Sequence, residues 1–279
     1  MLLKFGLVLF VSLTMTACGG GSGSIGSSSG NNAANTGAGS AAGGGGGSGG
    51  SPGPGASACD SLPDSNPWPA RRIINISHRG GASEFPENTI YAYDQSLVVG
   101  ADLLEMDIYE TADGELVVIH DATVDRTTNG TGSVSDLTLP ELKALDAAFW
   151  FVPGRGAVMD GAESDYTFRG IATGEVPPPP GFSANDFRIP TLREILERYP
   201  NELINIELKP DPDSTGSYEA KLAELLIEFG RNTDVMVASF VDPPAAIFKA
   251  VAPCVSTSVP TAQAAVGVIT AQGPSPGIT

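Results

Sequence analysis

The chain contains two histidines, and each ends a strand-like run. His78 closes Arg72 to Ser77 and is followed by Arg79; His120 closes the run from Leu116 and is followed by Asp121. Imidazoles titrate near neutral pH, so a pair at one sheet rim can serve as general base and general acid. Between them lie Glu105 and Asp107, two residues apart on a third such run. Strand side chains alternate, so both carboxylates share a face with Leu103, while Leu104, Met106 and Ile108 point the other way. Two carboxylates inside a sheet repel each other unless a cation neutralises them. A hard, oxygen-seeking ion such as Mg²⁺ or Ca²⁺ would do so. The stretch Asn205 to Lys209 repeats the pattern, with Asn205, Glu207 and Lys209 on one face and Ile204, Ile206 and Leu208 on the other. Glu207 can add a third carboxylate to the metal, and Lys209 a positive charge for a phosphate oxygen.

Positioning these groups needs a mostly parallel sheet, and the order of elements supplies one. Strand-like runs at 72–77, 103–109, 116–120, 203–208 and 235–239 alternate with helix-like stretches at 86–99, 138–145, 192–199, 218–229 and 244–251. A sixth strand is expected at 254–259, and Asp113-Gly114 marks a tight turn before Leu116. Repeated β-then-α units imply an α/β fold with active residues at the C-terminal ends of the strands. If the runs ending at His78 and His120 share one parallel sheet, both imidazoles reach the same rim. Residues 147–188 break the rhythm with Gly, four consecutive prolines from Pro177 to Pro180, and several aromatics. They read as a long surface insertion, functional or disordered.

The N-terminus is of another character. Lys4, an apolar run from Phe5 to Met15, and Thr16-Ala17-Cys18 make a secretory signal over 1–17. The Met15 to Cys18 ending resembles a bacterial lipobox, which implies acylation of Cys18 and an exported, membrane-anchored protein, periplasmic or at the cell surface. Residues 18–72 follow as a flexible linker, rich in Gly and Ser from Gly19 to Gly55, which cannot bury enough apolar surface to offset its ordering entropy. The domain then occupies 73–279. Export would permit Cys59 and Cys254 to pair. Net charge is −17, from 32 acidic and 15 basic residues, and this field argues against a nucleic-acid partner. It also repels anionic substrates, so a phosphate ester would need a cation in the site.

His78-Arg79-Gly80-Gly81, Pro86-Glu87-Asn88-Thr89, Glu105-Met106-Asp107, Thr111 to Gly114, Val118 to Asp121 and Arg126 to Gly132 occur in that order. Ile189 to Leu192, Asn205 to Lys209 and Ser239-Phe240 continue the series. As a set, over about Ile73 to Phe240, they resemble the glycerophosphodiester phosphodiesterase family. The resemblance implies a TIM-type (β/α)8 barrel that hydrolyses a small glycerophosphodiester to sn-glycerol 3-phosphate and an alcohol. It implies His78 and His120 as the acid–base pair, Glu105, Asp107 and Glu207 as ligands of Mg²⁺ or Ca²⁺, and Arg79 and Lys209 as phosphate holders. Glu87 lies near the site in the family pattern, and the Arg126 to Gly132 run reads as a shaped loop beside it.

The final strands typical of the family are not visible after Pro260, where Ala, Gly, Pro and Thr dominate, so the sequence reads as a barrel lacking its last strands. Two other readings stand beside the first. One is a phospholipase D-like or inositol-phospholipid-cleaving enzyme of the same superfamily, with Phe149, Trp150 and Phe151 shaping a lid. The other is an inactive surface binding protein or fragment.

Overall fold

The structure, a computed structural model, describes residues 73–210 and 217–264. The expected signal and linker, with Cys18 and Cys59, lie outside the described residues. Cys254 is disulfide-bonded. Among the described residues no helix is long and apolar enough to cross a membrane.

Among the described residues eight strands form, β1 (Ile76–Ser77), β2 (Leu103–Glu110), β3 (Leu116–Val118), β4 (Phe151–Val152), β5 (Gly156–Ala157), β6 (Leu203–Leu208), β7 (Val235–Ala238) and β8 (Ser256–Thr257). Helices are α1 (Ile90–Val98), α2 (Leu139–Lys143), α3 (Leu192–Arg198), α4 (Ser217–Glu228) and α5 (Asp242–Val251). The main sheet runs β1-β2-β6-β7-β8 with every neighbour parallel. This is the βα succession of a TIM-type barrel, and the described residues hold five of its parallel strands.

One expectation is corrected. β3 runs antiparallel to β2, pairing Glu110 with Leu116 and Ile108 with Val118. The hairpin turns through Thr111–Glu115, where Thr111 N donates to Glu115 O and Gly114 adopts φ +86°, a conformation that glycine takes without strain. His120 therefore does not cap a parallel strand. It returns to the site because the chain doubles back: Ile119 N donates to Asp107 O at 3.0 Å, which sets the next residue beside the carboxylates.

The helix expected over 86–99 begins at Ile90. Thr89 caps it, accepting from Ala92 N at 3.1 Å. The residues before it are held elsewhere, since Asn88 lies at φ +56° and its N–H donates to Arg79 O. The sheet's outer face meets the helices. Leu104, Met106, Ile108, Ile204, Ile206, Leu208, Val235 and Val237 pack there with Leu192, Leu196, Tyr218, Leu222 and Phe248. Each such side chain contributes about 1.5–3 kcal/mol by leaving water.

The 147–188 insertion is ordered rather than loose. It contains the β4–β5 hairpin, and Tyr91, Phe168, Phe182 and Phe187 stack in a cluster of their own. Buried Asp146 ties the start of the insertion to its middle by accepting from Ala148 N and Gly170 N. Phe151 is buried, and the Arg169 guanidinium lies over the rings of Phe149, Trp150 and Tyr166.

Candidate active site

The inner face of the sheet is built from the opposite alternation. Register places Glu105 beside Asn205 and Asp107 beside Glu207 across the parallel β2–β6 pair. The spacing expected from sequence thus becomes a cluster: ligand oxygens of Glu105, Asp107 and Glu207 lie within 4.8 Å of one another. All three are hard oxygen donors of the kind Mg²⁺ and Ca²⁺ take.

Burial makes this cluster costly. Glu105 is 7% exposed and Asp107 1%. Burial, and then the charge of Asp107, pushes the Glu105 carboxyl up to about 8. Burial also raises Glu207, although Lys209 opposes the shift. Two cations partly compensate. Lys209 Nζ donates to Glu207 Oε1 at 2.6 Å and lies 2.8 Å from Asp107 Oδ1, off the line of a hydrogen bond. Arg79 N donates to Glu105 Oε2 at 2.9 Å, and its Nε lies 3.4 Å from Asp107 Oδ2. A buried carboxylate oxygen without an aligned donor, beside two further carboxylates, fits a group that could hold a metal ion.

The backbone that delivers Arg79 is unusual. Arg79, Gly80 and Gly81 follow β1 with φ of +53°, +76° and +86°. Such strain in a non-glycine residue costs on the order of 1 kcal/mol or more and collects at functional sites. A Cβ on Gly80 would stand 2.8 Å from Ala92 Cβ, so this turn must be glycine to seat against α1. His78 opens the turn with an exposed side chain. Burial of part of the ring, and then Arg79, lower its pKa, and among the smaller influences is the His120 ring.

His120 Nδ1 lies 2.6 Å from Asp121 Oδ1. Asp121 accepts at Oδ2 from Arg126 Nε, and Arg126 makes two further hydrogen bonds to Glu87 at 2.9 and 2.7 Å. Glu87 in turn accepts from Arg79 Nη1 at 3.4 Å. From the other side Tyr93 donates to Asn88 Oδ1 at 2.7 Å, and Asn88 Nδ2 to Asp107 Oδ2 at 3.2 Å.

Of the seven expected site residues, Glu105, Asp107, Glu207, Arg79 and Lys209 meet in one cluster, while His78 and His120 come near enough for charge to act between His78 and Asp107 and between His120 and Glu207. Sequence reasoning gave no role to Asn88, Tyr93, Asp121 or Arg126. Asn88 and Asp121 lie inside the motifs that carry the family resemblance, and the Arg126 to Gly132 run reads as a shaped loop. Tyr93 reads from sequence as one more apolar-face helix residue, and only its hydroxyl contact distinguishes it.

The profile of the Glycerophosphoryl diester phosphodiesterase family matches residues 78–270. A glycerophosphodiester phosphodiesterase of Caldanaerobacter subterraneus is 39% identical over 171 residues, 61% of this chain and 58% of that protein. A glycerophosphodiester phosphodiesterase of Bacillus subtilis is 34% identical over 61% of this chain and 53% of its own length. The chain thus spans little more than half the length of these two relatives. Among solved structures, an Oleispira antarctica phosphodiesterase in complex with the product sn-glycerol-3-phosphate superposes with a TM-score of 0.52 at 26% identity, covering 70% of each chain.

Proposed function

The chain belongs to the glycerophosphoryl diester phosphodiesterase family, and on that premise we propose that it hydrolyses glycerophosphodiesters to sn-glycerol 3-phosphate and an alcohol. The observation that carries this reading is the triad Glu105, Asp107 and Glu207, drawn from two neighbouring strands into one buried cluster. In this reading the three carboxylates hold Mg²⁺ or Ca²⁺. Bound there, the ion supplies positive charge against the phosphoryl oxygens as negative charge builds up on them.

The protein's own groups then divide the work. Arg79 and Lys209 hold phosphate oxygens, each already within reach of Asp107. His78, whose pKa partial burial and then Arg79 lower, takes the proton from the attacking hydroxyl, of water or of the substrate itself. Asp121 fixes the His120 ring by accepting from Nδ1–H, so that the ring, in its imidazolium form, carries its second proton on Nε2, gives it to the leaving alkoxide and ends neutral. The product named for the Oleispira antarctica phosphodiesterase structure supports the substrate class.

Export and lipid anchoring through Cys18 belong to the same proposal and rest on the Met15 to Cys18 motif. Cys18→Ser should abolish incorporation of labelled fatty acid and release the protein from the membrane fraction. Retention of the label would remove the anchor.

The test of the reaction is hydrolysis of glycerophosphocholine by the full chain, before and after chelation. Activity should vanish in excess EDTA and return with added Mg²⁺ or Ca²⁺. Turnover that persists in EDTA would dismiss the metal site.

A further inference from the structure

We infer that Arg126 is a positioning residue that joins the proton-transfer arm of the site to its phosphate-holding arm. The inference rests on the proposed diesterase reading and deepens it. One guanidinium engages two carboxylates that each hold a different functional group. Nε donates to Asp121, whose other oxygen meets His120 Nδ1; Nη1 and Nη2 grip both oxygens of Glu87, which accepts from Arg79. The planar fork of arginine serves two acceptors in fixed directions, and an ammonium cannot reproduce that geometry.

The surrounding loop is built to present this side chain. Val124 N donates to Gly132 O, Val134 N to Ala122 O, and Gly132 N to Asp125 Oδ2, so the loop closes on itself. Val124 and Thr128 are both fully buried, and the Thr128 hydroxyl donates to Val124 O. Electrostatics agree with the geometry. Burial pushes the Asp121 carboxyl up, but Arg126 and then His120 outweigh it and hold the group below its ordinary value. A simple loop staple would need one partner. Arg126 has two, each bonded to a different functional side chain.

The coupling has a definite consequence for His120. Asp121 contacts its ring and is held in turn by Arg126, and the further charged or titratable groups that interact with the ring through space are Glu207 on β6 and His78 after β1. While Arg126 shares Asp121, part of that carboxylate's charge is spent on the guanidinium. Without Arg126 the whole charge falls on the imidazole. Glu87 likewise turns wholly on Arg79 and competes with phosphate for it.

The chain has only two histidines, so NMR titration of the full-length protein gives two imidazole signals, assigned through His78→Gln. Arg126→Ala should move the His120 midpoint up by about one pH unit and Asp121→Asn should move it down. In turnover of glycerophosphocholine, Arg126→Ala should lower kcat and raise KM, each about tenfold or more, whereas Asp121→Asn should lower kcat with KM little changed. Arg126→Lys, which keeps the charge and guards against a folding failure, should restore at most one of the two parameters. Full restoration of both by lysine, or an unmoved His120 midpoint in a folded Arg126→Ala protein, would overturn the inference. If the wild type shows no turnover but the midpoints move as stated, the diesterase reading fails and the Arg126 linkage stands.

Discussion

Asp107 and Met106 are neighbours in sequence and opposites in every other respect. Met106 is fully buried among Leu104, Ile108 and the helix residues of the outer face. Asp107 is just as inaccessible, yet it lies among two further carboxylates, a lysine and an arginine. One strand thus carries a face that stabilises the fold and a face that costs it stability. The apolar face gains free energy from burial without needing any partner of a particular chemistry. The charged face must be over-determined by the first, because desolvated carboxylates at one point resist ionising together. Function on this sheet is a local departure from what stability alone would select.

The largest expected effect breaks the site and spares the fold. Asp107→Asn should reduce kcat/KM at least a thousandfold, about 4 kcal/mol of transition-state stabilisation, while the urea midpoint shifts little. Substantial residual turnover would mean that the inner face is not the reactive one. Met106→Ala should do the reverse. Deleting a fully buried methionine costs about 2–5 kcal/mol of stability, and kcat/KM per folded molecule should hold. If activity falls in step with Asp107→Asn, the two faces are not separable and the comparison is wrong.

A smaller effect asks whether a cation repays the inner face for its cost. Mg²⁺ or Ca²⁺ at a hundred times its dissociation constant should stabilise the wild type by about 2.7 kcal/mol. The same addition should leave Asp107→Asn nearly unmoved. Equal stabilisation of both proteins, measured by thermal unfolding, would place the ion elsewhere.

Both faces were legible in the sequence for one reason: strand alternation. The run Leu104, Met106, Ile108 names the core, and Glu105 with Asp107, read against Asn205 and Glu207, names the cluster that register then assembles. What alternation could not show was direction. The run before His120 reads equally well as a parallel or an antiparallel strand, and only the hairpin at Thr111–Glu115 decides. The start of α1 was hidden similarly. Pro86, Glu87 and Asn88 have helix-opening character, but Asn88 is drawn to φ +56° by its contacts with Arg79 and Asp107. Arg126 was illegible because its partners lie 5 and 39 residues away along the chain, a relation no local pattern encodes.

The smallest effect tests the scaffold at the back of the outer face. Thr191 opens α3 with a reciprocal cap: its hydroxyl accepts from Glu194 N at 3.1 Å, and Glu194 Oε2 accepts from Thr191 N at 2.7 Å. Burial raises the Glu194 carboxyl, but Lys143 and then the Thr191 N–H outweigh it and hold the group below its ordinary value. A depressed carboxyl stabilises the fold above its unfolded pKa, and that gain is lost as pH falls through the folded value. Glu194→Gln should therefore cost about 1 kcal/mol at pH 7, the usual worth of a helix cap. The deficit should shrink as pH drops below about 4.5, because the wild type then loses the same charge. Turnover at pH 7 should not change, since the partners of Glu194 are Thr191, Lys143 and Asn185, none of them a site residue. A deficit that stays constant down to pH 3 would show that the carboxylate contributes packing rather than a charged cap.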